Sequence, residues 1–139
     1  MSSPPLPDTS SWHAETHAQH TGMPPSQYGE NAEALFLTSG YVQPSAEVAA
    51  ARFAGEEEGY TYSRLGNPTV SSFEQRLAAM EGTQAAIATS TGMSSILLMC
   101  MGLLKSGDHV ICSHSMFGST IKLIGSELAK FGVTISSVS

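Results

Sequence analysis

The chain has 139 residues, with twelve acidic side chains against six basic ones and a formal net charge of −6. That length allows one domain with a modest core, and the acidic balance argues against nucleic-acid binding through phosphate contacts. The longest strongly apolar run, 96–104, is too short to cross a bilayer, and the opening MSSPPLPDTSSWHAE has neither the basic nor the apolar region of a secretory signal.

Residues 1–29 are rich in Pro, Ser, Thr, His and Gln and show no period of 3.6 or 2, so they read as a flexible N-terminal arm. On a helix, His13, His17 and His20 would share one face. The stretch HAETH is nevertheless not the His-Glu-x-x-His of zinc proteases, because its Glu stands at the centre, and no metal is expected. Residues 30–82 form the next segment. Its apolar start, with Leu35, Phe36, Leu37, Tyr41 and Val42, suits an extended stretch packed on another surface. Ser45 is placed to cap a helix from Ala46 to Phe53, with Glu47 in its first turn. Gly55 and the carboxylates of Glu56, Glu57 and Glu58 read as a solvated loop. In YTYSRLGNPTV, Asn67 is an N-cap and Pro68 a first helical residue. The helix is expected to run to Glu81, burying Val70, Phe73, Leu77 and Met80, and to stop at Gly82. Arg64, ahead of it, is either a fork for phosphate or carboxylate or a plain surface arginine.

Residues 83–139 open with the stretch around which the chain is organised, QAAIATSTGMSSILLMCMGLLKSG. It predicts a buried strand from Gln84 to Thr89, a turn through Ser90, Thr91 and Gly92, and an apolar helix ending near Lys105. Such a junction leaves unpaired backbone N–H groups at the positive end of a helix, which suits an anion, most often phosphate. Many junctions of this shape hold nothing, and the residues alone leave both readings open. A second strand, His109 to Ser113, a helix from about Ser119 to Lys130 and a third strand, Val133 to Val138, follow. The alternation implies an α/β fold with a mostly parallel sheet, helices being needed on both faces. Three strands ending on the last of them make an incomplete domain, so the chain reads as cut short. Cys100 and Cys112 lie in apolar surroundings and read as reduced core thiols of a cytoplasmic protein.

Three blocks, YSRLGNPT, TSTGMSS and MFGST, carry a resemblance to the Cys/Met-metabolism enzymes that use pyridoxal 5′-phosphate (PLP). Those enzymes include cystathionine γ-synthase, cystathionine γ-lyase and the homoserine-ester sulfhydrylases. The resemblance covers roughly Glu15 to Ser139. EALFLTSGYV, AAARFAGEEEGYTYSRLGNPTV and the helix ending in KFG lean to the O-succinylhomoserine sulfhydrylase branch. It implies an incomplete large domain of a fold-type I PLP transferase, preceded by an extended N-terminal arm. It implies that the cofactor phosphate rests on Gly92 and Met93, and that Tyr62 and Arg64 reach the phosphate of a neighbouring subunit. A homo-oligomer, a dimer pair within a tetramer, and a small amino-acid substrate follow from it. Phe117 stands where relatives carry a tyrosine stacked on the cofactor ring. Stacking needs only an aromatic face, but a phenylalanine has no phenol to move protons, and Phe here resembles the sulfhydrylase branch. His20 stands where relatives often have arginine.

PLP chemistry also needs a Schiff-base lysine and an acid to pair with the pyridine nitrogen. Neither Lys105, Lys122 nor Lys130 has the sequence context of that lysine, so no catalytic residue is assigned within the chain. The implied parent reaction joins an O-acylhomoserine and sulfide into homocysteine. A γ-synthase or γ-lyase of the same family, or a truncated product that only associates with a full-length partner, are the alternatives. A Rossmann-type nucleotide site is disfavoured because the turn lacks Gly-x-Gly-x-x-Gly.

Overall fold

A computed structural model describes residues 8–22 and 28–139. The chain divides into two compact units, Met1–Ala88 and Thr89–Ser139.

Among its described residues the first unit holds three helices, α1 (Ala14–His20), α2 (Ala46–Ala54) and α3 (Pro68–Glu81). α2 and α3 start and stop as their cap residues dictate. The Ser45 side chain accepts from Val48 N and Gly55 ends α2 in the left-handed region, at φ 75°. Asn67 Oδ1 accepts from Thr69 N at 2.8 Å, Pro68 fills the first position, and Gly82 closes α3 at φ 62°.

Helix α1 departs from the expected structureless arm. The described part of the arm folds as seven helical residues that pack on α3, while residues 1–7 and 23–27 lie outside the described residues. The lack of an apolar period hid α1 because polar bonds dock it. Arg76 Nε donates to Thr21 O at 3.2 Å, its two terminal nitrogens grip both Glu33 oxygens at 3.1 and 2.6 Å, and Ser72 Oγ donates to Gly22 O. Gly22 has φ 77°, and a Cβ there would stand 2.5 Å from Ser72 O, so glycine is required twice over. His17 and His20 pack around Trp12, with ring centroids 5.7 and 6.1 Å away. His17 Nδ1 is 2.8 Å from Thr21 Oγ1.

The face of α3 is a second correction. Ser72 and Ala78 are its buried residues, whereas Val70, Phe73, Leu77 and Met80 are exposed, Phe73 by 55%. The apolar stripe has the expected period but no covering surface among the described residues. Leu35, Leu37 and Val42 are likewise exposed, Val42 by 98%.

The second unit holds α4 (Gly92–Leu103), β1 (His109–Ser113), α5 (Gly118–Lys122) and β2 (Thr134–Val138). β1 and β2 pair in parallel from His109↔Thr134 to Ser113↔Val138. Between them the helix changes pitch. α5 passes into a π turn, Leu123–Glu127, then a 3₁₀ turn, Leu128–Phe131, and stops at Gly132 with φ 83°. Cys100, Cys112, Ile124, Leu128 and Val133 make the core of this unit. Both cysteines are buried free thiols, and burial pushes the Cys100 thiol above its usual value. α4 is apolar all round, which suits a helix enclosed on every side, yet Cys100 is its one buried residue and Leu103 is 78% exposed.

The strand expected over Gln84 to Thr89 does not form. The described residues make one two-stranded sheet, β1–β2, and Ile87 is 74% exposed. A buried parallel strand exists only between partners that complete its ladder, and its apolar sequence cannot substitute for them. Within the first unit Glu74 Oε1 accepts from Ala88 N at 2.7 Å, a carboxylate standing in for a ladder bond. The fold is thus α/β with a small parallel sheet and its helices.

Candidate functional site

The start of α4 has the geometry of an anion cradle. Thr91 is the N-cap: its Oγ1 accepts from Ser94 N at 3.1 Å and its carbonyl accepts from Ser95 N at 3.1 Å. Gly92 and Met93 occupy the first two helical positions, where no intrahelical carbonyl can reach their amides. A Cβ on Gly92 would meet no atom within 4 Å, so the approach to these amides is open. The hydroxyls around them are engaged with one another. Thr91 Oγ1 and Ser94 Oγ are 2.8 Å apart, Thr89 Oγ1 and Ser95 Oγ are 2.7 Å apart, and Thr89 Oγ1 also donates to Thr91 O at 2.9 Å. These bonds fix the turn, and they leave the backbone amides and the helix dipole as the standing attraction for an anion.

Phe117 belongs to the same unit. It is the N-cap of α5, 69% exposed, and its carbonyl accepts from Thr120 N at 2.9 Å and Ile121 N at 3.2 Å. The buried Thr120 Oγ1 donates to Met93 Sδ at 3.9 Å, which ties the start of α5 to the start of α4. Gly92 and Met93 thus open one helix and Phe117 caps the next, the two helix starts being joined through Thr120. Thr120 closes the MFGST block but was not singled out there; its signal was that position and a hydroxyl on the apolar side of an amphipathic helix.

Tyr62 and Arg64 belong to the first unit. The Arg64 guanidinium carbon lies 5.4 Å from the Tyr62 ring centroid, and Arg64 makes no ion pair among the described residues. Their loop is stitched to the extended segment before α2: Gly40 and Tyr62 form an antiparallel bridge, Tyr41 N donates to Thr61 O at 3.2 Å and Ser63 N to Ser39 O at 2.8 Å. Leu65 N and Gly66 N both bond Tyr62 O, closing a tight turn under Arg64. Tyr41 and Tyr60 rings pack with centroids 5.5 Å apart. Gln43 spans the same junction, donating to Tyr41 O and Tyr60 O, and is itself held by Arg52.

The residues fit the phosphate end of PLP. In the second unit, two amides without a partner among the described residues stand at a helix start with open space beside Gly92, which suits a dianion; in the first unit, the Arg64 guanidinium has no carboxylate partner among the described residues. Neither Lys122, which ends α5, nor Lys130, which pairs with Glu127, stands at that helix start. Lys105 follows α4, its backbone N held by Asp108. Among the described residues no group of His, Cys, Asp and Glu side chains could hold a metal ion. No helix among them is long and apolar enough to cross a membrane.

Residues 15–139 match the family described as Cys/Met metabolism PLP-dependent enzyme. The chain is 51% identical over 121 residues to O-succinylhomoserine sulfhydrylase of Pseudomonas aeruginosa, covering 87% of this chain and 30% of that protein. It is 40% identical over 131 residues to L-methionine gamma-lyase of Fusobacterium nucleatum, covering 94% of this chain and 33% of the relative. Among solved structures it resembles a putative O-acetylhomoserine (thiol)-lyase from Campylobacter jejuni that contains N′-pyridoxyl-lysine-5′-monophosphate. That match has a TM-score of 0.86 and 32% identity, and covers 93% of this chain and 32% of the other. The chain thus spans about a third of the length of the relatives it matches. It belongs to the Cys/Met metabolism PLP-dependent enzyme family.

Proposed function

We propose that the chain is the N-terminal, cofactor-phosphate-holding part of a PLP-dependent sulfhydrylase that makes homocysteine from O-succinylhomoserine and sulfide. The observation that carries the reading is the pair of Gly92 and Met93 amides, without a partner among the described residues, at an open helix start. The 51% identity to an O-succinylhomoserine sulfhydrylase supports the choice of branch.

Gly92 and Met93 hold the phosphate through their amides, and α4 contributes its positive end. Phe117 offers an aromatic face to the cofactor ring. Tyr62 and Arg64 hold the phosphate of a neighbouring subunit, in a homo-oligomer built of such pairs. Residues 30–82 thus serve the interface and 83–139 begin the cofactor-binding domain, behind an arm at 1–29. Bound PLP supplies an electron sink for carbanions formed at the amino-acid substrate. Phe117 cannot exchange a proton, so proton transfer falls to groups other than this ring. No lysine of this chain occupies the cradle, and the chain alone is inactive. Buried reduced thiols fit a cytoplasmic setting.

A γ-lyase is the second reading, favoured by the 40% identity to an L-methionine gamma-lyase. Assaying a full-length protein that carries this segment separates the two. Homocysteine from O-succinylhomoserine and sulfide, with little release of methanethiol from methionine, is the expected result. The reverse preference would transfer the assignment to the lyase.

A further inference from the structure

We propose that Asn67 is a positioning residue whose side-chain amide holds the Tyr62–Arg64 loop, separately from its work as a helix cap. One end of the side chain, Oδ1, accepts from Thr69 N at 2.8 Å and starts α3. The other end, Nδ2, donates to Phe36 O at 2.9 Å and to Ser63 Oγ at 3.0 Å. Ser63 Oγ in turn donates to Thr38 O, and Ser63 N to Ser39 O at 2.8 Å. Asn67 is 7% exposed and the bonds of its side chain are partly shielded from water, so leaving one of their partners unmet carries a cost.

The consequence is a clasp closed by one nitrogen. Segment 36–41 lies along the start of α3, held further by Thr69 Oγ1, which accepts from Phe36 N at 2.9 Å. The same segment forms the bridge to Tyr62. Nδ2 is where α3, segment 36–41 and the Tyr62–Arg64 loop meet. Among the described residues the Arg64 guanidinium has the Tyr62 ring beside it and no ion-pair partner, so its placement comes from the backbone on either side, and Ser63 is the residue that Asn67 fixes. Asp and Ser cap helices about as well as Asn, but neither can donate from that position as an amide does. Asparagine is required here for its donor.

The test exploits that split. In Asn67→Asp of the 139-residue chain, the cap survives and its added charge favours the helix start, while a carboxylate faces the Phe36 carbonyl. Hydrogen exchange resolved by residue should show the amides of Tyr41 and Ser63 opening on the order of 10–100-fold faster, for two lost bonds of ordinary strength, with the α3 amides unchanged. Asn67→Ser, also a cap, should behave alike. Unchanged exchange at Tyr41 and Ser63 in both variants overturns the proposal. Loss of protection that is as large in α3 as in the loop also overturns it, since Asn67 would then be only a cap. The extension to the cofactor rests on the function proposed above and is read separately. In the full-length protein, Asn67→Asp should weaken PLP binding, and should add nothing in an Arg64→Ala background. If Arg64→Ala leaves PLP affinity unchanged, the phosphate role of Arg64 fails while the exchange result still decides the clasp. If Asn67→Asp weakens binding equally in both backgrounds, the link through Arg64 is refuted.

Discussion

Replacing Arg64 by alanine in a full-length protein that carries this segment separates a phosphate clamp from a surface arginine. Within the chain, Arg64 has little to lose. It is exposed, has no carboxylate partner among the described residues, and rests 5.4 Å from the Tyr62 ring centroid. An exposed cation–π contact of this kind is worth about 0.5–1 kcal/mol, so thermal unfolding should hardly change. A charge-assisted contact to phosphate is worth roughly 1.5–3 kcal/mol, so PLP should bind about 10–100-fold more weakly. Arg64→Lys should recover only part, because a point charge does not reproduce the fork. Equilibrium titration of the apoenzyme with PLP, followed by absorbance, gives the numbers. Hybrids that pair an Arg64→Ala subunit with one lacking the cofactor-bonding lysine should regain part of their activity if the arginine acts across the interface, and none if it acts within its own subunit. An unchanged PLP affinity in Arg64→Ala would refute the clamp.

Four further outcomes are expected. Borohydride reduction of the isolated chain with PLP should label Lys105, Lys122 and Lys130 slowly and without selectivity, as peptide mapping would show; one stoichiometrically labelled lysine contradicts the reading. With Val70, Phe73, Leu77 and Met80 exposed on α3, the isolated chain should associate, and a sharp monomer in analytical ultracentrifugation with cooperative melting counts against this. The Arg76 guanidinium holds the Glu33 carboxyl below its usual range, so the pair helps dock α1 at neutral pH and is lost as pH falls through that lowered value. Trp12 fluorescence should report loosening of the arm as acid protonates Glu33, a step that Glu33→Gln should lack; identical acid titrations of the two proteins contradict it. The Cys100 thiol, raised by burial, should react with a disulfide reagent far more slowly in the native chain than in denaturant, and equal rates would show that the core is open.

What the sequence made legible was local chemistry. Ser45, Asn67 and Thr91 cap their helices as their side chains dictate, Gly55, Gly82 and Gly132 end helical segments with positive φ, and β1 forms where its apolar run places it. These features depend on atoms only a few residues apart. The errors were all about partners. Gln84 to Thr89 has strand composition but no ladder, and Val70, Phe73, Leu77 and Met80 have helical period but no cover. Periodicity says which face is apolar, not whether anything lies against it. Helix α1 was missed for the opposite reason, because Arg76, Ser72 and Glu33 dock its end and the turn after it through polar bonds that leave no apolar pattern. At the site, motif resemblance named Gly92, Met93 and Phe117, but it named neither the contact of Thr120 with Met93 nor the bonds from Asn67 to Phe36 and Ser63, since each joins residues distant in the chain or on separate elements.

The central claim, that the Gly92–Met93 helix start is a phosphate cradle, is tested most directly by amide chemical shifts of the isotopically labelled chain. Titration with PLP and with inorganic phosphate should move the Gly92 and Met93 amides first and most, in the same direction, while pyridoxal without its phosphate should leave them in place. Shifts of equal size with pyridoxal, or phosphate-induced shifts that leave Gly92 and Met93 untouched, would contradict the account.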